Sequence, residues 1–389
     1  MERTYNTFVD NGLFVLAYYL EKNIDEVTIE DILNSVDLME KEIKNTLSCE
    51  KYSSMAFSSF QNSQYTQAKK KVKEQFQLIL SNLGDEEYCS VCGKKHIKSH
   101  EDLKYKKALS RCLSPTLSTN TFFNYSNNLK QLNICPICIY LSMLSFLNTR
   151  PLIGLCLLMN SDDDEFMYCI TKEIYGERKR NIISNAKKDK ANKEINVYKL
   201  KKEFIKDIIF NENTYDGYIE ATIYLNTAQN ESMQQELLTK RDMEFLRMLN
   251  KKSLLSQFDE KGLFFYILNG HLRNDYLSCV FNKDGLKVSM ELFKLIEEEY
   301  NKVGKNIIEL IKRICKKVFE STETKEIADL KMIQTQSDFE ELLVKWRGNI
   351  DNLMTLEEFE MLTDYKNYRR NKNRMLIEFY ELNNTLENN

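Results

Sequence analysis

Apolar and polar positions along the chain divide it into a mixed first part and a helical last part. Residues 5–20 pass from a short polar stretch into the unbroken apolar run Leu13–Leu20, which predicts a buried helix. Thr28-Ile-Glu-Asp31 has capping-box spacing and predicts a second helix through Leu47. Ile139–Leu147 reads as a helix. Leu152–Met159 and Phe166–Ile170 read as strands separated by the acidic turn Ser161–Glu165. Tyr218, Glu220, Thr222 and Tyr224 alternate with Ile219, Ala221, Ile223 and Leu225, the pattern of a half-buried strand. Leu263–Leu268 fits a strand or a buried helical turn equally well. From about Lys287 onward, Phe293, Ile296, Tyr300, Val303, Ile307, Leu310 and Ile314 recur in steps of three and four. A second helix carries Ile327 to Trp346, and Thr355-Leu-Glu-Glu358 caps a third that runs to Leu382. The expected fold is α+β and predominantly helical. A mixed N-terminal body over 1–285 has a basic strand-loop region at about 150–285, and a C-terminal helical bundle occupies 286–389.

Composition narrows the class. The chain has 389 residues, long enough for two or three domains, and only 11 Gly and 3 Pro, too few for long linkers or a turn-dense all-β sandwich. Hydrophobic residues at 42% and charged residues at 29% are ordinary for an ordered globular protein. A formal net charge of −3 assigns any polyanion contact to local patches rather than to the molecule as a whole. The N-terminal residues lack the basic–apolar–small pattern of a secretory signal, and the runs Leu13–Leu20 and Leu152–Met159 are too short to span a bilayer. A cytoplasmic protein with no membrane partner is expected.

The chemistry concentrates in two cysteine pairs, Cys89-Ser-Val-Cys92 and Cys135-Pro-Ile-Cys138. Two-residue spacing places both sulfurs on one side of a turn, and four thiolates match the tetrahedral preference of Zn2+. Four sulfur ligands leave no open position, so a structural zinc clip is expected in an insert over about 85–140, closing the residues 93–134 as a loop. His96 and His100 stand near the first pair and are expected as loop residues. The other six cysteines have no regular spacing and read as buried free thiols.

Basic residues cluster twice. Residues 176–202 hold ten Lys and Arg against three acidic residues, including Arg178, Lys179, Arg180, Lys187, Lys188 and Lys190. Arg369, Arg370, Lys372 and Arg374 share a predicted helix with Tyr365 and Tyr368. Such groups neutralise phosphates without reading bases, and aromatic neighbours allow stacking on a single strand. Asn6, Asp10 and Asn11 are further candidates for contact with nucleic acid, since amides read base edges, and helix capping is the expected role for Asp10 or Asn11. The chain has no phosphate-binding glycine loop, nucleophile elbow or His-Glu-x-x-His helix, and only three histidines, His96, His100 and His271. One enzymatic alternative is a zinc-stapled HNH-like nuclease. The two cysteine pairs suit it, and the lack of an Asp-His or His-His step between them counts against it.

Thr7-Phe8-Val9-Asp10-Asn11-Gly12-Leu13, leading into an apolar helix and followed by both cysteine pairs, resembles the CRISPR-associated CXXC–CXXC family. By motif the resemblance covers roughly residues 5–140. It implies a non-catalytic large subunit of a type I-B Cascade complex, assembled with crRNA and other Cascade subunits. Such a subunit recognises the protospacer-adjacent motif on double-stranded DNA, stabilises the R-loop with its displaced single strand, and recruits a helicase-nuclease. In such systems a separate small subunit can arise from an internal start, for which Met290 is a candidate.

Overall fold

The computed structural model describes residues 1–53, 65–99, 134–152, 155–187, 202, 205–206, 217–226, 231–268, 276–282, 285–302, 304–321 and 325–387. The chain is mostly helical with small antiparallel sheets, as an α+β, predominantly helical reading requires. It divides into two compact units, Met1–Lys240 and Arg241–Asn389, a boundary earlier than the 285/286 division expected from pattern.

Among the described residues of the first unit, α1, Thr7–Leu20, is the central helix. Asn6 caps it by accepting from the Phe8 and Val9 amides at 3.1 and 3.2 Å. Residues Thr7 to Ala17 are all buried, the condition of a helix surrounded on every side. Against it pack α5 (Pro136–Leu144), α6 (Asp164–Ile183) and strand β4 (Leu155–Asn160). The Thr28–Asp31 capping box starts α2, Ile29–Asn34, and the helix then breaks at Ser35 before α3, Val36–Ser48. Ser35 Oγ meets Tyr140 of α5 at 2.8 Å, which pins the break. A further helix, α4, spans Tyr65–Leu80.

A four-stranded antiparallel sheet runs β3 (Arg150–Leu152), β4, β5 (Ile219–Asn226), β6 (Glu231–Leu238). Cys156 pairs with Tyr224 and Leu157 with Ile223. The half-buried expectation for β5 needs correction. Thr222 and Tyr224 are buried as deeply as Ile223, because α1 covers their face through Phe8 on Tyr224 and Thr7 Oγ1 on Glu220.

The expected strand Phe166–Ile170 is instead the start of α6. Asp163, read as part of an acidic turn, caps the helix by accepting from the Phe166 amide at 3.0 Å. Phe166, Met167, Ile170 and Ile174 then recur at helical spacing on the buried side. The same helix absorbs residues 176–183 of the presumed basic loop.

In the second unit, Lys240–Lys251 forms α7, followed by α8 (Leu255–Glu260) and α9 (Leu263–Leu268), so the ambiguous apolar run is helical. The expected seam starts as α10, Met290–Leu295, continues as a π-helical turn, Ile296–Tyr300, and resumes as α11, Lys305–Ser321. The second and third helices are also each divided, into α12 (Lys325–Met332) and α13 (Gln336–Asn349), then α14 (Leu356–Thr363) and α15 (Tyr368–Glu387). Residues 371–379 of α15 are buried without interruption, because α11, α12, α13, α14 and the π turn all pack on this helix. A product starting at Met290 would lack α7, and with it the 2.6 Å bond from Tyr300 to Asp242.

Candidate metal centre

Each cysteine pair sits where local structure prepares it. The first lies in a hairpin between β1 (Glu87–Tyr88) and β2 (Lys95–Ile97). Cys89 donates its amide to Lys94 O at 2.9 Å, and Gly93 closes the turn at φ +69°, where a side chain would be strained. The second pair opens α5: Cys135 is the N-cap, Pro136 follows in the first turn, and the Cys138 amide points at Cys135 Sγ at 3.4 Å. The positive end of the helix thus faces two sulfurs. Amides of Val91 and Cys135 approach Cys89 Sγ at 3.3 and 3.2 Å. Such donors stabilise thiolate.

The four sulfurs come from turns far apart in sequence, yet all lie within 4.8 Å of one another. Cys89 Sγ is 3.9 Å from Cys138 Sγ, and Cys92 Sγ is 3.7 Å from Cys135 Sγ. A tetrahedral centre with metal–sulfur bonds of about 2.3 Å has sulfur–sulfur edges of about 3.8 Å. The cluster therefore has the geometry to hold a metal ion. Cys89, Cys135 and Cys138 are buried and Cys92 is half-buried.

Electrostatics point the same way. Hydrogen bonds from the thiols of Cys135, Cys138 and Cys92 push Cys89 far below the usual thiol range, and those from Cys135 and Cys138 bring Cys92 down to about 7. Cys138 is driven up in return, by its hydrogen bonds to Cys135, Cys89 and Cys92. Four packed sulfurs cannot all ionise without a counter-charge, and a bound cation supplies it. His96 is not one of the clustered ligands and instead lines a cavity of about 290 Å3 beside Cys92 and Cys138. His100 and His271 lie outside the described residues.

The segment Val9–Gly12 lies in α1, which packs on α5, the helix that the second cysteine pair opens. Asp10, fully buried, accepts from the Thr4 amide and hydroxyl at 2.8 Å and from the Tyr5 amide at 3.0 Å, and pairs with Arg3 at 3.3 Å. Asn11 donates to Thr7 O and Met159 O, and accepts from Asn148 at 2.6 Å. Gly12 lies on the backbone of Leu141 in α5. Asn11 is thus a buried structural bridge between α1 and β4, and Asn6 a helix cap, with no amide of Asn11 left for a base edge.

The basic candidates separate by burial. Arg178 is 2% exposed and donates to Leu147 O and to Tyr19 Oη at 2.7 Å. Tyr19 in turn donates to Glu42 at 2.6 Å. Arg374 is 2% exposed and paired with Glu298 and Glu378. Lys372 is buried with its ammonium 2.9 Å from Ile333 O. In this fold these three side chains do not face a phosphate backbone, because each sits on a helix packed into its unit's core. Arg369 and Arg370 are half-buried, with Arg370 donating to Asn301 O at 2.8 Å. Lys179, Arg180 and Lys187 are exposed, and Lys179 lies 4.5 Å from the Tyr175 ring centre. Lys188 and Lys190 lie outside the described residues.

Sequence reasoning missed Arg3 and Glu297, and gave Gly12 no role beyond its place in the motif. An isolated glycine within an apolar helix signals close backbone approach. Glu297 stands four residues after Phe293 within the apolar seam, a polar residue at a core position. Of the cysteines outside the cluster, Cys49, Cys156 and Cys315 are buried, Cys169 is exposed and Cys279 half-buried rather than buried, and Cys112 lies outside the described residues. Among the described residues, no helix is long and apolar enough to cross a membrane. No family model, curated protein or solved structure matches the chain.

Proposed function

We propose that this chain is a zinc-stapled, non-catalytic subunit of a nucleic-acid-guided complex, of the kind the CRISPR-associated CXXC–CXXC family contributes as the large subunit of type I-B Cascade. The observation that carries the reading is the junction of α1 and α5. Val9-Asp10-Asn11-Gly12 lies in α1, and Cys135-Pro-Ile-Cys138 opens α5; the two helices that carry the signatures behind the resemblance pack on one another, with Gly12 against the backbone of Leu141. A signature that joins two distant segments into one core is harder to produce by chance than either short motif.

The sulfur-only donor set favours Zn2+ over hard cations. Four protein ligands close the coordination sphere, so the ion's contribution is structural: it joins the β1–β2 hairpin to the start of α5. In a guided complex, base pairing supplies sequence specificity while protein supplies phosphate contacts and holds the opened strands. Exposed Lys179, Arg180 and Lys187, at and beyond the end of α6, suit the phosphate role. Motif recognition, R-loop stabilisation and recruitment of a helicase-nuclease belong to the same proposal.

The test is co-expression with a crRNA and the repeated backbone subunit of such a complex. The chain is expected to co-purify with both and to confer motif-dependent binding of duplex DNA without cutting it. Its remaining alone and RNA-free beside those partners would overturn the proposal. So would metal-dependent DNA cleavage by the purified chain that is lost in His100→Ala.

A further inference from the structure

The π-helical turn Ile296–Tyr300 places Glu297 in the interior of the second unit, with none of its surface exposed. Three buried polar side chains close on its carboxylate. Tyr276 donates its hydroxyl to Oε1, and the amides of Asn301 and Asn373 reach the same oxygen at 2.9 and 3.3 Å. These donors come from three separate stretches of chain and spend themselves on one atom.

What remains is a set of unmatched acceptors. Glu297 Oε2, Asn301 Oδ1 and Asn373 Oδ1 are all buried without a hydrogen-bond partner. Nearby cations have their own partners: Arg370 donates to Asn301 O, Arg374 pairs with Glu298 and Glu378, and Lys372 donates to Ile333 O. A buried oxygen without a donor is costly, and a carboxylate oxygen together with the amide oxygens of the two asparagines bonded to that carboxylate calls for a shared occupant. The π turn supports this, since π bulges recur at functional sites.

We propose that Glu297, Asn301 and Asn373 form a binding site for a hard monovalent cation, sodium or potassium. Oxygen-only donors select hard ions over thiophilic ones. A single carboxylate balances one positive charge and leaves a divalent ion undercompensated, and the positive Arg370 guanidinium nearby counts further against a divalent ion. The site is separate from the four-thiol centre and independent of the function proposed above. The competing occupant is an internal water molecule, which would also bridge the acceptors.

The experiment is thermal unfolding of the full-length, metal-replete protein at constant ionic strength in choline, sodium, potassium, magnesium or calcium chloride. Sodium or potassium is expected to raise Tm above the choline value by roughly 3–6 °C, and Glu297→Gln to abolish that difference. In parallel, 23Na NMR of the wild-type protein should show line broadening reversed by potassium. Equal Tm in choline, sodium and potassium means an internal water only and overturns the proposal. Stabilisation specific to the divalent ions, or an alkali effect retained in Glu297→Gln, overturns it as well. If the variant fails to fold, absence of displaceable 23Na broadening in the wild type does the same.

Discussion

Gly12 of α1 rests directly on the backbone of Leu141 in α5: a methyl group at position 12 would overlap the Leu141 carbonyl and come within 3.0 Å of its Cα. The neighbour is backbone, not a flexible side chain, so the two helices must separate to admit it. Gly12→Ala is therefore expected to destabilise the first unit by about 3 kcal/mol or more, even though alanine is the better helix former. Urea denaturation followed by circular dichroism measures it, and an unchanged midpoint would show that the helices adjust freely.

The four-thiol cluster should hold one metal ion per chain, read by elemental analysis. Cys138→Ser is expected to lose it and to expose the α5 region to protease. Because proton and metal compete for the same sulfurs, metal affinity should fall as pH is lowered. A competition assay with a chromophoric chelator at two pH values checks the direction.

Asp10 holds the residues leading into α1 by accepting from Thr4, Tyr5 and Arg3, with no surface exposed. Asp10→Asn keeps the shape, removes the charge, and leaves the Arg3 guanidinium short of one partner. Breaking a buried pair in this way costs about 3–5 kcal/mol. Arg3 also bonds Asn160 and the Ser161 carbonyl, so the loss should be felt at the end of β4. Amide hydrogen exchange at Asn160–Ser161 would register it.

Burial raises the Glu297 carboxyl from 4.5 to about 7. A carboxyl raised on folding favours the protonated native state. Its contribution is complete below pH 4.5 and disappears as pH rises through 7. Across that window the second unit should lose about 3 kcal/mol, measured in choline buffer and removed by Glu297→Gln. Burial raises Glu378 as well and adds to the same slope. Lys372, lowered to about 8 by burial, titrates above this window and does not confuse it.

Among the basic residues, burial separates two outcomes. Arg374→Ala should destabilise the second unit by about 3–5 kcal/mol, because Glu298 and Glu378 lose their shared partner. Arg180→Glu with Lys187→Glu should leave stability unchanged and weaken DNA binding by the assembled complex, with a shallower salt dependence. An unaltered salt slope would remove these side chains from the phosphate contact.

Much of the fold is legible where a local signal and its tertiary use coincide. The Thr28 and Thr355 boxes start helices where their spacing says, and the cysteine spacing yields four clustered sulfurs. Reading failed where one short segment serves two grammars. Phe166–Ile170 is apolar enough for a strand, and only Asp163's capping role identifies it as a helix start. The basic run 369–374 reads as a patch for gripping a nucleic-acid strand until the neighbours of α15 are known. They bury Lys372 and Arg374, and acidic and carbonyl partners appear from segments distant in sequence. No periodicity carries that information.

The four-sulfur cluster also ties together two points far apart along the chain. Sulfurs from residues 92 and 135 meet at 3.7 Å, so the two ends of the intervening tract are fixed by the body and not by the tract itself. Doubling the length of such a closed segment changes its closure entropy by only about 0.6 kcal/mol. The number of residues between the two halves of the clip therefore enters the closure term only weakly, and the geometry of the four sulfurs does not depend on it.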